Sequence, residues 1–254
     1  MIPENSTVLV VGATGSIGRP AVTEALRQGY NVRALVRSQA RAASLPAGVE
    51  LVVGDLTRPE TLDPAVHDVD AVVFTHGSTI SESDVRDVDF AGVANILAAL
   101  GDDPVRIALM TAVGVTRPGV PYAAWKRRGE KLVRASGNDY TIVRPGWFDY
   151  NEPGQRKIVM RQGDTNQSGG PADGVIARDE IARVLIDSLS TDGANRKTFE
   201  LAAEVGLEQE DLTATFEALV PDMPGSLDGV LDKNQVPVAA EPARFRDELS
   251  RLGR

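Results

Sequence analysis

Tyr122 and Lys126 stand in Pro121-Tyr122-Ala123-Ala124-Trp125-Lys126. At i and i+4 on a helix, the two side chains share one face. An ammonium beside a phenol lowers the phenol pKa, so Tyr122 is a candidate proton donor or acceptor. Thr111 closes a strand-like run just before, and its hydroxyl could orient a polar substrate group. The Tyr122–Lys126 stripe continues through Trp125, Gly129 and Val133, which marks it as the packed face. Arg127, Arg128, Glu130 and Lys131 are then expected to stay in water. A lysine on a packed stripe needs a polar partner. Plain packing of Tyr122 with a snorkelling Lys126 is the competing reading.

A second group lies at the start of the chain, in Gly12-Ala13-Thr14-Gly15-Ser16-Ile17-Gly18. Glycines at these spacings allow a tight turn and a close approach of backbone to a pyrophosphate. A helix beginning near Ser16 points free N–H groups and its positive dipole end at such a ligand. Gly18 lets that helix lie close to the preceding strand. The pattern, between a strand and a helix, predicts dinucleotide binding. A ribose or phosphate of that ligand is the partner expected for Lys126.

The next strand ends in Val36-Arg37-Ser38 and carries no carboxylate where an NAD site places one, about 20 residues on. Arg37, with Arg41 one helical turn later, suits a 2′-phosphate instead. The cofactor read here is NADP(H) in preference to NAD(H). Arg19 adds positive charge after the last glycine. Asp55 follows the third strand and either faces the adenine or begins a turn. Thr75, His76 and Gly77 follow the fourth, near the pyrophosphate and ribose, where His76 is a ligand contact or a polar loop residue.

These residues need a scaffold of alternating strands and helices. Strands are expected at Thr7–Val11, Val32–Val36, Val49–Val53, Ala71–Thr75, Val105–Met110 and Tyr140–Val143. Helices are expected at Ile17–Gln28, Pro59–His67, Asp84–Leu100 and Pro121–Ser136. Unbroken apolar strands predict a sheet buried on both faces. The alternation predicts an α/β fold, a doubly wound parallel sheet of the Rossmann type. Residues 1–150 are read as the cofactor-binding core. Residues 151–254 are read as a small C-terminal substrate lobe packed on it, the two together able to count as one domain. That part holds expected helices at Arg178–Leu189, Glu208–Leu219 and Pro242–Leu252, and short strands at Lys157–Met160 and Thr198–Leu201.

Composition narrows the function. The net charge of −9 argues against nucleic acid and acidic membrane as partners. There is no cysteine, which removes disulfides, thiolate catalysis and Cys-ligated zinc, and the two histidines are not at metal-ligand spacing. No metal is expected. No run of ~18 apolar residues and no leader pattern is seen, so a cytoplasmic protein is expected. A small-molecule substrate is the expected partner, with a homodimer left open.

Taken together, the glycine motif, Val88-Asp89-Phe90-Ala91-Gly92-Val93-Ala94-Asn95 and Ser136-Gly137-Asn138-Asp139-Tyr140-Thr141-Ile142-Val143-Arg144-Pro145-Gly146 resemble the short-chain dehydrogenase/reductase superfamily. The resemblance is to its atypical branch, the NmrA-like and flavin-reductase-like proteins, over roughly residues 5–200. It implies cofactor contacts at Gly12, Thr14, Gly15, Ser16, Ile17 and Arg37, and at Asp55 and Leu56 beside the adenine. It also implies Thr75 and Gly77 nearer the ribose, Lys126 on the nicotinamide ribose, and Pro145 and Gly146 beside the nicotinamide. Thr111 stands where standard members carry a catalytic serine, and Asp89 where they carry an asparagine. The implied activity is NADP(H)-dependent hydride transfer to a carbonyl, quinone or flavin. A weakly catalytic NADP-sensing regulatory protein and a sugar-nucleotide epimerase or dehydratase are the alternatives. In the sensor, the apolar stripe of Leu212, Phe216 and Leu219 would be a partner surface or simply core. Trp147, Phe148 and Met160 are candidate linings of an apolar substrate site.

Overall fold

A computed structural model describes residues 1–78 and 81–253. The chain begins β1 (Thr7–Val11), α1 (Gly18–Arg27), β2 (Asn31–Val36), β3 (Glu50–Val53), α2 (Asp63–Val66), β4 (Ala71–Phe74) and α3 (Glu82–Asp84). It continues α4 (Ala91–Leu100), β5 (Arg106–Met110), α5 (Pro121–Ala135), β6 (Asp139–Pro145), β7 (Trp147–Phe148) and β8 (Lys157–Arg161). The last elements are β9 (Val175–Ile176), α6 (Arg178–Ser190), β10 (Lys197–Glu204), α7 (Thr213–Glu217) and α8 (Ala243–Arg251).

Eight strands form one sheet in the order β3-β2-β1-β4-β5-β6-β10-β8. Every pairing is parallel except β10 with β8. The fold is therefore a Rossmann-like doubly wound sheet. The order turns back between β1 and β4, and such a switch point opens a crevice at the carboxyl ends of the strands. Both faces of β1 are buried: Val8 and Val10 pack toward α1 and α6, Leu9 and Val11 toward α4 and α5. Period-2 geometry with helices on both sides explains why the strand reads as continuously apolar. Residues after 150 supply β8 and β10 to the sheet and α6 to the layer beside α1.

Three helices differ from the sequence reading. Pro59–His67 is a 3-10 turn at Pro59–Thr61 followed by an α-helix of only Asp63–Val66. Glu208–Leu219 is helical only over Thr213–Glu217. Gln209 turns its amide to the backbone of Ile158, and Asp211 accepts from the backbone N–H of Thr213, so local side-chain bonds replace the first helical turns. The run expected as one helix from Asp84 opens into a wide π turn at Val85–Phe90 before α4. Leu212, Phe216 and Leu219 are core, with Phe216 edge-on to Phe199 at 5.9 Å.

Candidate functional site

A cleft of about 470 Å³ opens at the switch point. Gly12, Thr14, Gly15 and Ser16 form one wall, and Thr75, His76 and Gly77 face them from the end of β4. Arg37 and Arg41 stand at the β2 end, beside Asp55 and Leu56. The glycines are sterically required. Gly12 has φ +86°, and a Cβ there would lie 2.7 Å from the His76 backbone nitrogen. A Cβ on Gly18 would lie 2.0 Å from the Gly12 carbonyl oxygen. Gly15 N–H donates to the Gly12 carbonyl at 2.8 Å, closing the turn. At the start of α1, Arg19 N–H already donates to the Gly15 carbonyl at 3.1 Å and Pro20 has no N–H, so it is the positive end of the helix dipole, behind the glycine turn, that faces the cleft. The residues present thus fit a dinucleotide: a cradle no side chain can enter, a helix start for phosphates, and two guanidinium groups.

Asp55 begins a turn at the edge of the cleft. Its Oδ1 accepts from the Thr57 backbone N–H at 2.9 Å and from the Thr57 hydroxyl at 2.8 Å, beginning a turn, and the residue still lines the cleft. These bonds hold the carboxyl below its usual range, with Arg37 and Arg58 adding to the effect. His76 packs under the cleft. Burial pushes its imidazole down, toward the neutral form.

Lys126 has a protein partner. Its ammonium pairs with buried Asp89 Oδ1, whose other oxygen accepts from the Ser78 backbone N–H at 2.8 Å. A cofactor is therefore not what makes this lysine tolerable on the packed face. The pair lies directly beneath Gly77, whose added Cβ would be 3.4 Å from Asp89 and 3.5 Å from Lys126. The π turn carries Asp89 to this position. Tyr122, in the first turn of α5, is 49% exposed. Thr111 is buried, and its hydroxyl donates to Glu130 Oε1 at 2.7 Å.

The expectation that Arg127, Arg128, Glu130 and Lys131 stay in water is overturned. Arg127, Glu130 and Lys131 are buried, and Arg128 is half-buried. Arg127 pairs with Asp228 at 2.8 Å, Lys131 with Glu241 at 2.8 Å and Arg128 with Glu241 at 2.7 Å. Arg144 lies between Glu130 and Asp232 and bonds each through two nitrogens, with contacts of 2.7–3.0 Å. Burial opposes the charge on Glu130, but Arg144 and Arg134 outweigh it and hold the carboxyl below its usual range. The counter-charges of Arg127, Arg128 and Lys131 come from the C-terminal segment, which nothing near α5 in sequence announced.

Residues 12–192 match the model of a family described as NAD(P)H-binding. The chain belongs to this NAD(P)H-binding family. Among its relatives is the photosystem II assembly factor Ycf39 of Synechocystis sp., 30% identical over 76% of this chain and 61% of its own length. The chain thus spans under two thirds of that relative. Sanguinarine reductase of Eschscholzia californica is 26% identical over 83% of this chain and 94% of its own. Among solved structures, a candidate NAD-dependent epimerase/dehydratase from Bacillus halodurans superposes with TM-score 0.70 and 25% identity, over 84% of this chain and 99% of that one.

Within this NAD(P)H-binding chain, the structure gathers Gly12, Thr14, Gly15, Ser16, Arg37, Asp55, Leu56, Thr75, His76 and Gly77 around one cleft. Ile17 and Gly18 are buried behind it, where they seat α1 on the sheet. Lys126 and Thr111 meet His76 at a smaller cavity next to the cleft. Pro145 and Gly146 are buried at the end of β6. Gly146 N–H donates to Leu201, and a Cβ there would lie 2.3 Å from the Gly174 carbonyl oxygen, so this glycine serves chain packing. Phe148 and Met160 pack on the core, while Trp147 is exposed and edge-on to Tyr150. Glu130, which accepts from Thr111, was placed in water by the sequence reading. Its signal was the buried face of α5, since Glu130 falls one turn after Lys126.

Proposed function

We propose that the chain is an NADP(H)-dependent oxidoreductase. The observation that carries the cofactor preference is the pairing of Arg37 and Arg41 on the cleft wall at the end of β2, with no carboxylate closing that strand. A guanidinium there pairs with a 2′-phosphate bidentately. When bound, the nicotinamide supplies hydride to a carbonyl, quinone or flavin. The glycine turn and the start of α1 hold the pyrophosphate. Asp55 and Leu56 border the adenine, and Thr75 and Gly77 the ribose on the other side. Lys126, fixed by Asp89, would hold the nicotinamide ribose with an N–H that Asp89 does not use, and exposed Tyr122 would supply the proton. No helix among the described residues is long and apolar enough to cross a membrane, and we place the chain in the cytoplasm with a small-molecule substrate.

A second reading has its own support. Thr111 is tied to Glu130, and Lys126 to Asp89, so the group expected to orient a substrate and the one expected to hold the cofactor ribose are both engaged within the protein. That favours a cofactor sensor with weak catalysis. Of the named relatives, one is an assembly factor and one a reductase.

Fluorescence titration with NADPH and NADH tests the cofactor. NADPH is expected to bind at least ten-fold tighter, and Arg37→Ala to erase the difference while leaving NADH binding nearly unchanged. Equal affinities in the parent chain defeat the preference. Consumption of NADPH with aldehydes, quinones and FMN then separates oxidoreductase from sensor, since tight binding with no turnover favours the sensor.

A further inference from the structure

Beside the cofactor cleft, His76, Asp89, Thr111 and Lys126 border a small cavity of about 10 Å³, closed on other sides by Val93 and Leu109. A space of this size takes the centre of one water, and a buried water needs two to four polar partners. The hydrogen-bond polarity of the lining can be worked out group by group.

Thr111 gives its only proton to Glu130, at 2.7 Å. Glu130 has none to return, because it accepts from both Arg144 and Arg134. The Thr111 oxygen therefore offers lone pairs alone. His76 Nε2 lies 3.4 Å from the Asp89 carbonyl oxygen, which can only accept, so the ring proton sits on Nε2. In the neutral ring Nδ1 is then an acceptor, and it is buried with no partner among the described residues. Lys126 has three protons, of which Asp89 takes one. The residues lining the cavity thus carry two acceptors without donors and one donor with protons to spare.

The structure assigns this cavity as the site of one ordered water that donates to Thr111 Oγ1 and His76 Nδ1 and accepts from Lys126 Nζ. Thr111 is then a positioning residue turned to the interior, linking Lys126 through water to the buried Glu130–Arg144 pair. It does not hold a substrate carbonyl, for which it has no proton. The water site stands on the protein alone. Its consequence for Thr111 rests on the oxidoreductase reading.

The test is a crystal structure of the full chain at about 1.8 Å or better, free and with NADPH. The expected result is a density peak within hydrogen-bond distance of all three atoms in both crystals. A dry cavity, or a water touching one of the three alone, overturns the assignment. Thr111→Ser is expected to keep the peak and Thr111→Val to lose it. A peak unchanged in Thr111→Val overturns the acceptor role. If Thr111→Val does not fold, His76→Phe removes the other acceptor and carries the same expectation. NADPH titration of the same preparations reports on the cofactor reading separately: loss of binding there leaves the water peak in the free crystal as expected.

Discussion

Glu200, in β10, touches the edge of the buried charge cluster through a 3.4 Å contact to Arg144. Arg144 is already held by two nearer carboxylates, so burial dominates and raises the Glu200 carboxyl to about 7, against the pull of Arg144. The sign follows from linkage. A carboxyl raised on folding binds more protons in the folded state, so stability falls as pH rises from the ordinary 4.5 to about 7 and is level above that. The cost above neutral pH is roughly 3 kcal/mol. Glu200→Gln is expected to raise the melting temperature at pH 8 and change it little at pH 4. Thermal unfolding at both values checks this, and an equal shift at the two would show that Glu200 does not titrate in this window. Other single residues were readable from sequence. Arg37 and Asp55 needed only their place at strand ends. Asp89 did not show itself as the partner of Lys126, because a π turn and a 37-residue separation lie between position and contact.

At the scale of elements, the glycine turn was legible because its requirement is local. Gly15 and Gly18 act on backbone atoms within the same turn, and Gly12 adds a close approach to the His76 backbone. Gly18→Ala would put a methyl 2.0 Å from the Gly12 carbonyl, and no rotamer change relieves a clash with backbone. A loss of about 3 kcal/mol, the upper range for overpacking, is expected in urea denaturation, with weaker NADPH binding as α1 moves off β1. An unchanged unfolding midpoint would mean that α1 tolerates a wider seat. The helix at 208–219 was less legible. Its apolar spacing is real and is used in the core, but Gln209 and Asp211 bond the backbone in ways that periodicity does not report.

At the scale of the molecule, the C-terminal segment is a clamp on α5 and β6. Asp222 is a main fastening: its carboxylate accepts from Arg134 at 3.2 Å, Tyr140 at 3.0 Å, Thr198 at 2.6 Å and the Val230 backbone at 2.8 Å. Removing one partner from a buried charged set leaves the others uncompensated, typically at about 3–5 kcal/mol. Asp222→Ala is expected to destabilise the whole chain by that amount in chemical denaturation, with little dependence on salt because the set is shielded from solvent. Loss of under about 1 kcal/mol, or strong relief by salt, would mean that the segment is a loosely attached tail.

The sequence alone determined the sheet of alternating strands and helices, the glycine turn and the basic groups at the end of β2. Each rests on neighbours within a turn or a strand, where spacing is geometry. The tertiary structure alone decided which charges of α5 are buried. The partners of Arg127, Arg128, Lys131 and Arg134 are 88 to 113 residues away, in a segment with no regular pattern of its own, while Glu130 is matched by Arg144 of the next strand. It also decided the protein partners of Lys126 and Thr111. A hydrogen-bonding group is defined by what it touches, and Asp89 and Glu130 reached these two before any substrate could.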